Sequence, residues 1–398
     1  MYSYILKGRI IDGISDSPIE DGIVAIEEDK IAFVGKASDF NIPKDVQVIE
    51  ADTILPGFID CHTHLVGLSH SGSYADGRLF GDLLLGAAYE TGQLVDAGFT
   101  GVRDMSEQGF YLSRAQKRGI LRSPKIMPGG RCLSITGGHG DMWPYMSKDA
   151  ENQDNPVEIL CDGVDECIMA VREQFRKGAE FIKILATGGV SSPTDRVDDV
   201  QFSPEELRAI VEEAKRRHVY VTAHCTGNEG AYQALLAGVK CIEHGVMLTQ
   251  REIDLMKEKD IPLVSTLYVS LSCAKLTNKP DWFMEKAKLC AEANLNTIEM
   301  ARKAGIRIVF GTDFTRDFLT NGREFTAMTE AGMTPMEAIR AATINGAYVM
   351  RKDDVTGSLE TGKLADIVLA KGNPLEDITC IADAKNITHV FMEGKKVK

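Results

Sequence analysis

Between residues 54 and 355 the chain alternates short apolar runs with longer amphipathic segments. We predict a helix over Pro204–Arg217, because Ser203 can cap its start and Glu206 completes a capping box. We predict a second helix over Asp281–Ala304. The apolar runs have the length of buried strands. We predict eight of them: Thr53–Cys61, Thr100–Asp104, Lys125–Gly129, Phe181–Ala186, Tyr220–Ala223, Cys241–Glu243, Pro262–Ser265 and Arg307–Gly311.

Eight strands that alternate with helices over about 300 residues predict an α/β protein with a (β/α)8 TIM barrel. A doubly wound open sheet is the alternative, but no GxGxxG motif follows an early strand.

Both ends of the chain lack helical periodicity and read as short strands separated by turns. Near the start these are Ser3–Ile11, Gly22–Glu27 and Lys30–Val34, and near the end Ala365–Ala370 and Thr388–Met392. We predict that residues 1–55 and 356–398 pair into one small composite β-sandwich domain, and that residues 56–355 form the barrel.

Composition limits the possible partners. Hydrophobic residues make up 44% and charged residues 26% of the chain, and the formal net charge is −13. An acidic surface repels phosphate backbones, so we expect a small-molecule substrate and no nucleic acid. No apolar run of about 18 residues and no signal peptide is seen, so we expect a cytoplasmic protein without membrane contact. The sequence leaves open whether the protein forms a homo-oligomer.

The cysteines are nine in number, without a CxxC pair, and we interpret them as reduced core residues. Cys61 and Cys225 lie beside candidate metal ligands. Their thiolates could bind a soft metal, but packing is the simpler interpretation.

Candidate chemistry lies where the predicted strands end, because catalytic groups of TIM barrels project from the carboxyl ends of strands. His62 and His64 are two residues apart on the first strand and can face the same side. His224 and His244 each follow an apolar strand, and Asp313 follows the last one. These positions are equivalent in the barrel.

Lys183 lies within an apolar strand, where a buried ammonium group is costly without a partner. Snorkelling or pairing with an aspartate is the ordinary explanation. The ligand candidates at the other strand ends favour a different one, in which carbon dioxide converts Lys183 to a carbamate that bridges two divalent ions. Imidazole and carboxylate ligands suit zinc, and manganese, iron or cobalt are alternatives.

Several motifs resemble the amidohydrolase superfamily over essentially the whole chain. They are PGFIDCHTH at residues 56–64, EHG at 243–245, GTD at 311–313 and GKLADIVL at 362–369. The resemblance implies a binuclear site. His62, His64 and Asp313 would hold the more buried metal, His224 and His244 the other, and carboxylated Lys183 would bridge them. It also implies that Asp313 acts as general base and then general acid.

Two loops are similar to the Xaa-Pro dipeptidase-like branch, which is related to imidazolonepropionase. They are TGGHGD at residues 136–141 and TGGVSSPTD at 187–195, the latter followed by QFS and a helix. The resemblance implies that His139 faces substrate and hydrogen-bonds the scissile carbonyl oxygen. Branch members that cleave peptides often carry a tyrosine two residues after the fifth-strand histidine, where this chain has Thr226. That departure puts proline specificity in doubt.

Three further side chains are candidate substrate contacts. Arg196 and Arg316 follow the loops after Asp195 and Asp313, and either could bind a substrate carboxylate bidentately. Tyr268 follows the seventh strand and could form a pocket wall.

The pattern therefore predicts a metal-dependent hydrolase that cleaves the amide bond of a small substrate, such as a dipeptide or an N-acyl amino acid. Hydrolysis of a carbamate, urea or cyclic amide on the same site is the alternative. A third hypothesis is a non-catalytic scaffold protein with the same barrel. The presence of all six ligand candidates disfavours this hypothesis.

Overall fold

Seventeen strands and thirteen α-helices form the parts of the chain that the computed structural model describes, residues 2–68 and 80–398. In chain order, strands β1–β17 are Tyr4–Ile10, Ile19–Glu27, Lys30–Lys36, Gln47–Pro56, Phe58–Thr63, Phe99–Asp104, Lys125–Pro128, Cys132–Ser134, Glu158–Leu160, Ile182–Leu185, Val221–Cys225, Cys241–His244, Leu263–Val264, Ile308–Val309, Ile367–Ala370, Ile387–Met392 and Lys395–Lys396. Helices α1–α13 are Phe80–Asp96, Gln108–Lys117, Lys148–Asp154, Gly163–Lys177, Pro204–Lys215, Asn228–Ala237, Gln250–Glu258, Leu267–Cys273, Asp281–Ala304, Arg323–Glu330, Pro335–Ala341, Ile344–Val349 and Thr379–Ala382.

The parallel strands β5 to β14 form the wall of a barrel. One ladder runs β5-β6-β7 and the other β14-β13-β12-β11-β10-β8-β9. The third barrel strand is broken at Gly129–Gly130, so that β7 pairs with β6 while β8 pairs with β10. Backbone hydrogen bonds from Cys61 to Phe310 and from Asp313 to His62 join the first strand to the last. The barrel is therefore closed, and the predicted (β/α)8 fold is confirmed.

Alternation along β10 explains why a lysine enters the barrel. Ile182 and Ile184 pack in the large core beneath the surrounding helices, whereas Phe181 and Leu185 belong to the cluster inside the barrel. Because side chains alternate along a strand, Lys183 lies on the inner face with Phe181 and Leu185.

Strands from both ends of the chain form a separate seven-stranded sheet in the order β17-β16-β15-β4-β1-β2-β3. Strand β15 pairs antiparallel with β4, from Ile367 opposite Pro56 to Ala370 opposite Thr53. This pairing brings strands from roughly the last thirty residues against strands from the first sixty, as expected for a composite β domain. The domain limits at residues 55 and 356 stay a prediction.

One predicted strand is in fact two. The sequence predicts a continuous strand over Thr53–Cys61, but β4 ends at Pro56 and β5 begins at Phe58. Gly57 lies between them, where an added Cβ would meet the Thr100 hydroxyl oxygen at 2.1 Å. The chain therefore passes from the terminal sheet to the barrel at this glycine. Within the described residues, no helix is long and apolar enough to cross a membrane.

Candidate active site at the carboxyl ends of the barrel strands

A cavity of about 380 Å³ opens at the carboxyl ends of the barrel strands. The six side chains that the sequence suggested as metal ligands all line it: His62, His64, Lys183, His224, His244 and Asp313. His139 and Thr226 line it as well. The structure thus brings together residues that are spread over 250 positions of the sequence.

His62, His64 and Asp313 form the tightest part of this set. The Oδ1 atom of Asp313 lies 3.1 Å from Nε2 of His64 and 3.4 Å from Nε2 of His62. One ligand atom from each residue lies within 4.8 Å of the others. Two imidazoles and a carboxylate in this arrangement fit a divalent transition metal.

His244 and His224 continue the same wall. The ring centroids of His62 and His244 are 4.8 Å apart, and those of His244 and His224 are 4.6 Å apart. Burial lowers the pKa of both His224 and His244 well below the ordinary value, and neighbouring histidines and Lys183 act in the same direction. Both rings are therefore neutral at physiological pH, the form in which imidazole binds a metal.

Hydrogen bonds orient His62 at the end of β5 and His64 in the loop that follows it. Nδ1 of His62 lies 2.7 Å from Oε2 of Glu243, and Nδ1 of His64 lies 3.0 Å from the carbonyl oxygen of Met105. Carboxylate and carbonyl oxygens only accept, so each Nδ1 carries the proton. Nε2 of both rings faces Oδ1 of Asp313, so the three side chains converge on one point, as the ligands of a metal do.

The other two histidines are oriented in a similar way. His224 uses Nε2 to contact the carbonyl oxygen of Gly188 at 3.0 Å, which leaves its Nδ1 as the free nitrogen. His244 uses Nδ1 to contact the Thr266 hydroxyl at 2.8 Å. In each of the four rings, a hydrogen bond to a group outside the ligand set therefore holds one nitrogen and fixes the ring orientation.

Two of the ligand candidates have a left-handed backbone, with φ of 65° at His244 and 58° at Asp313. Non-glycine residues adopt this conformation at a cost of roughly 1–3 kcal/mol, and such strain concentrates at functional sites. On β12, Glu243 is the buried neighbour of His244: Glu243 contacts His62 beneath the cavity, whereas His244 lines the cavity.

Lys183 is 2% exposed, with Nζ 3.4 Å from Nε2 of His62 and 3.4 Å from Sδ of Met105. In the parts of the chain that the structure describes, its Nζ has no carboxylate within 4.0 Å. The ordinary explanation of a buried lysine, an ion pair with a neighbouring aspartate, therefore does not hold for these residues.

A buried ion pair beneath the site was not anticipated. Arg103 and Glu243 are both fully buried and hydrogen-bonded to each other, and Nε of Arg103 donates to the Cys61 carbonyl oxygen at 2.6 Å. The Thr222 hydroxyl donates to the same oxygen of Glu243, Oε1, that accepts from Arg103. Arg103 could have been noticed in the sequence by the signal that drew attention to Lys183, a charged residue within an apolar strand.

Asp60 was also missed, and it ties the first barrel strand to the last. Its carboxylate accepts hydrogen bonds from the backbone N–H of His62 and Thr312, from the Thr312 hydroxyl at 2.7 Å and from the Asn321 amide at 2.7 Å. Burial raises the pKa of Asp60 to about 7, although these donors oppose the shift. Asp60 thereby fixes the strand ends that carry His62 and Asp313.

His139 lies beside His224 in the cavity. Its ring is 4.6 Å from that of His224, and its Nδ1 lies 2.8 Å from the Ser192 hydroxyl. Burial lowers the pKa of His139 to about 4, despite the nearby Asp195.

The remaining substrate-contact candidates are placed differently. Thr226 lines the cavity, but its hydroxyl is hydrogen-bonded to the carbonyl oxygens of Gly188 and Val197. Arg196 is 79% exposed and pairs with an exposed aspartate at 3.2 Å, and Arg316 is exposed. The Tyr268 hydroxyl accepts from Arg323.

Arg196, Arg316 and Tyr268 are not among the cavity-lining residues of the described chain. Their contact with substrate stays a prediction, and their positions give it no support.

Apolar groups cover most of the cavity wall away from the histidines. They come from loops next to β8, β9, β10 and β12, from the end of β10 and from helices α8 and α9: Met142, Trp143, Val157, Leu185, Val190, Val246, Val269, Phe283 and Ala287. Cys61 and Cys225 do not line the cavity and pack in the core, in agreement with a structural role.

The sequence profile of the amidohydrolase family matches residues 53–397. The ochratoxinase of Aspergillus niger is 34% identical over 419 aligned positions, which cover 99% of this chain and 86% of that protein. An imidazolonepropionase of Flavobacterium psychrophilum is 26% identical, with 95% of this chain and 92% of that protein covered.

Solved structures agree with these relatives. The crystal structure of A. niger ochratoxinase superimposes with a TM-score of 0.91 at 33% identity, covering 100% of this chain and 96% of that one. A prolidase complexed with N-methylphosphonate-L-proline gives 0.90 at 31% identity, and a Xaa-Pro dipeptidase with bound methionine gives 0.88 at 32%. Coverage is 99% of both chains in each of these two cases.

Proposed function

The chain belongs to the amidohydrolase family, whose relatives act on carbon–nitrogen bonds, and from this premise we propose that it cleaves the amide bond of a small substrate with an apolar or aromatic acyl group at a binuclear metal site. N-acyl amino acids and dipeptides are the substrate class that this proposal favours. The observation that carries it is the set of four imidazoles, each oriented by a hydrogen bond, beside Asp313 and Lys183 in one largely apolar cavity.

The donor set fits two divalent ions. His62, His64 and Asp313 would hold one of them, and His224 and His244 the other, with Lys183 between the two groups. Carboxylation of Lys183 would replace an unpaired buried ammonium with an anion that has two oxygen ligands. When bound, such ions would polarise the substrate carbonyl and make water nucleophilic at neutral pH.

Asp313 has the position needed for proton transfer. Burial alone would raise its pKa, but contacts with His62 and His64 outweigh burial and hold the pKa well below its usual range. The side chain is therefore ionised, and beside the ligand histidines it would take the proton of the attacking water and deliver it to the nitrogen of the leaving amine. The hydroxyl group of that water joins the carbonyl carbon, the C–N bond breaks, and a carboxylic acid and an amine are released.

The apolar wall supports an apolar acyl group. Phe283 and Trp143 lie in this wall, and Lys183 is the only lysine or arginine among the lining residues that the structure describes. A small ligand gains about 25 cal/mol for each Å² of apolar surface removed from water, so binding energy should grow with acyl size until the cavity is filled.

The decisive experiment is a hydrolysis screen with zinc-loaded protein. The panel contains N-acyl amino acids with graded acyl groups, dipeptides with and without a prolyl nitrogen, and ochratoxin, which the name of one relative suggests. We expect aromatic and long apolar acyl groups to give the highest kcat/KM. Cleavage of ureas, carbamates or cyclic amides with all open-chain amides left intact would transfer the proposal to that class. No turnover with any compound by fully metal-loaded protein would overturn it.

A further inference from the structure

The loop after β10 forms a closed hydrogen-bonded circuit around His139. Nδ1 of the imidazole lies 2.8 Å from the Ser192 hydroxyl, which is hydrogen-bonded in turn to Oδ1 of Asp195. The backbone N–H of His139 donates to Oε1 of Gln201 at 3.0 Å, and Nε2 of Gln201 donates to Oδ2 of Asp195 at 3.1 Å. The ring and the backbone of His139 are thus fixed by the same carboxylate.

Lys286 anchors this circuit to helix α9. Its Nζ donates to Oδ1 of Asp195 at 2.9 Å and to the carbonyl oxygens of Gly189 and Ser192 at 3.0 and 2.8 Å. All three ammonium protons therefore have an acceptor. The neighbouring turn of α9 carries Phe283, which lines the cavity, so one helix forms the substrate wall and holds the loop.

The direction of the hydrogen bonds follows from counting protons. Asp195 accepts from Lys286, Gln201, the Gly189 N–H and Ser192, so it is an acceptor at both oxygens. Ser192 has one hydroxyl proton, and it is used toward Asp195. The Ser192 oxygen can therefore only accept from His139, which places the imidazole proton on Nδ1.

We propose that Ser192, Asp195 and Lys286 are positioning residues that hold His139 as the Nδ1–H tautomer, so that its Nε2 offers a lone pair to the substrate cavity. The inference rests on the proposed function for its consequence: His139 accepts a hydrogen bond from an N–H or O–H group of the bound substrate. The sequence had suggested the opposite polarity, with His139 donating to the scissile carbonyl oxygen. A neutral ring that is protonated on Nδ1 has no proton on Nε2 to donate.

The geometry leaves little room for another ring orientation. A Cβ at Gly189 would lie 2.2 Å from Cε1 and 2.4 Å from Nε2 of His139, so the imidazole rests directly on the Gly189 backbone. On its other side it contacts the ring of His224. The imidazole is confined between these two groups, and the Ser192 hydroxyl determines which nitrogen carries the proton.

The test is a measurement of the tautomer that needs no substrate. Protein labelled with ¹⁵N-histidine is examined by long-range ¹H–¹⁵N NMR, both as purified and after addition of Zn²⁺, and the His139 signals are identified by their loss in His139→Asn. We expect a neutral ring protonated on Nδ1 in the wild type and in Ser192→Thr. In Ser192→Ala the proton should redistribute toward Nε2.

Two lysine variants separate positioning from general effects of mutation. Lys286→Met should weaken the Nδ1–H preference and lower kcat/KM at least about tenfold, as expected when a residue that orients an active-site group is lost. Lys288→Met, on the exposed face of the same helix, should change neither. A wild-type proton on Nε2, or an unchanged tautomer in Ser192→Ala, would overturn the inference. Absence of hydrolysis alone would count against the proposed function and leave this result standing.

Discussion

Oε2 of Glu243 lies 2.7 Å from Nδ1 of His62, and both side chains are buried to within 1%. Arg103 holds the other carboxylate oxygen, so the imidazole is oriented by a carboxylate that is itself fixed in place. Burial and the charged neighbours of Glu243 have opposite effects on its carboxyl group. Burial raises the pKa, but Arg103 and His62 outweigh burial and keep the pKa well below its usual value. Glu243 is therefore an anion that fixes the tautomer of His62.

Replacing Glu243 with glutamine should weaken metal binding at His62. The loss of an orienting carboxylate typically lowers metal affinity or activity about 10- to 100-fold, and we expect zinc affinity to fall within this range. A zinc titration against a chelating indicator measures the change. Glu258→Gln, on the exposed end of α7, is the matched control and should bind zinc as the wild type does. Equal zinc affinity in Glu243→Gln would contradict the orienting role.

Lys183 should carry a carbamate in the metal-loaded protein. Incubation with ¹³C-bicarbonate and zinc should produce a carbamate carbon signal in ¹³C NMR, which Lys183→Ala should lack and the exposed-residue control Lys240→Met should retain. We expect Lys183→Ala to lose at least about 100-fold in activity, more than the loss of an orienting residue, because a direct ligand is removed. Short carboxylic acids should restore part of the activity. Full metal content in Lys183→Ala without such acids would exclude a bridging carbamate.

Asp313→Asn should abolish proton transfer without disturbing the backbone. Asparagine tolerates the left-handed conformation that Asp313 adopts at φ 58°, so the fold should be kept. We expect kcat to fall about 10²- to 10⁴-fold, the usual range for loss of general acid–base catalysis. Asp317→Asn is a matched control, because Asp317 is exposed and has the same φ of 58°. Zinc content is measured alongside, since activity that survives at full metal occupancy would rule out Asp313 as the proton carrier.

Gly189→Ala should displace the His139 ring and lower activity while the protein remains folded. The new Cβ would overlap the imidazole, which must rotate away from Ser192. We expect kcat/KM to fall at least about tenfold, as for other losses of an orienting contact. Gly81→Ala is the control, because a Cβ there meets nothing within 4 Å and an alanine in a helix should stabilise slightly, by about 0.5–1 kcal/mol. Wild-type activity in Gly189→Ala would show that the ring position is unimportant.

Glu324 should make stability depend on pH. Its carboxyl group accepts from the Ser265 hydroxyl and from the backbone N–H groups of Leu267 and Tyr268, yet burial raises its pKa to about 8. The folded state therefore binds a proton that the unfolded state has released. Proton binding at Glu324 therefore adds to the free energy of unfolding. This contribution is complete below the pKa of the unfolded state, near 4.5, and is lost as the pH rises through about 8.

Thermal unfolding of wild type and Glu324→Gln between pH 5 and pH 9 tests this sign. Glutamine cannot ionise, so the Tm of the variant should rise relative to that of the wild type as the pH increases. Glu330→Gln, at the exposed end of the same helix, should follow the wild type at every pH. A Tm difference between Glu324→Gln and wild type that stays constant over this range would contradict the raised pKa.

The barrel was predictable because its signal is local and repeated. Each strand is a short apolar run, and the ligand candidates lie at equivalent points after these runs, so that strand ends alone suggested His62, His224, His244 and Asp313. Lys183 stood out because a charge interrupts an apolar strand. The break between β4 and β5 was missed, since one apolar run continues through Gly57 and only the three-dimensional structure shows the crossing from one sheet to the other.

Sequence position alone does not determine which loop side chains contact a substrate. Arg196 and Tyr268 lie close along the chain to a loop and to a strand end, but the conformation of the loops decides where such side chains lie. The relation between His139 and Lys286 joins residues 147 positions apart through a loop, and no periodicity encodes it. Buried partners such as Arg103 and Glu243 can be noticed as charges in apolar strands, but which residue each one contacts depends on the register of the barrel.

The pairing of β15 with β4 has a consequence for biosynthesis. Ile367 and Pro56 are neighbours in the sheet but are separated by about 310 residues, so β4 must wait for its partner while the entire barrel is translated. At a ribosomal rate of about 5–20 residues per second, this delay lasts roughly 15–60 s. During that time the N-terminal strands expose an unpaired edge, the kind of surface that invites aggregation. The nascent chain is therefore most prone to aggregation before its final thirty or so residues emerge. These residues then pair with β4 and cover the edge of the strands that were synthesised first.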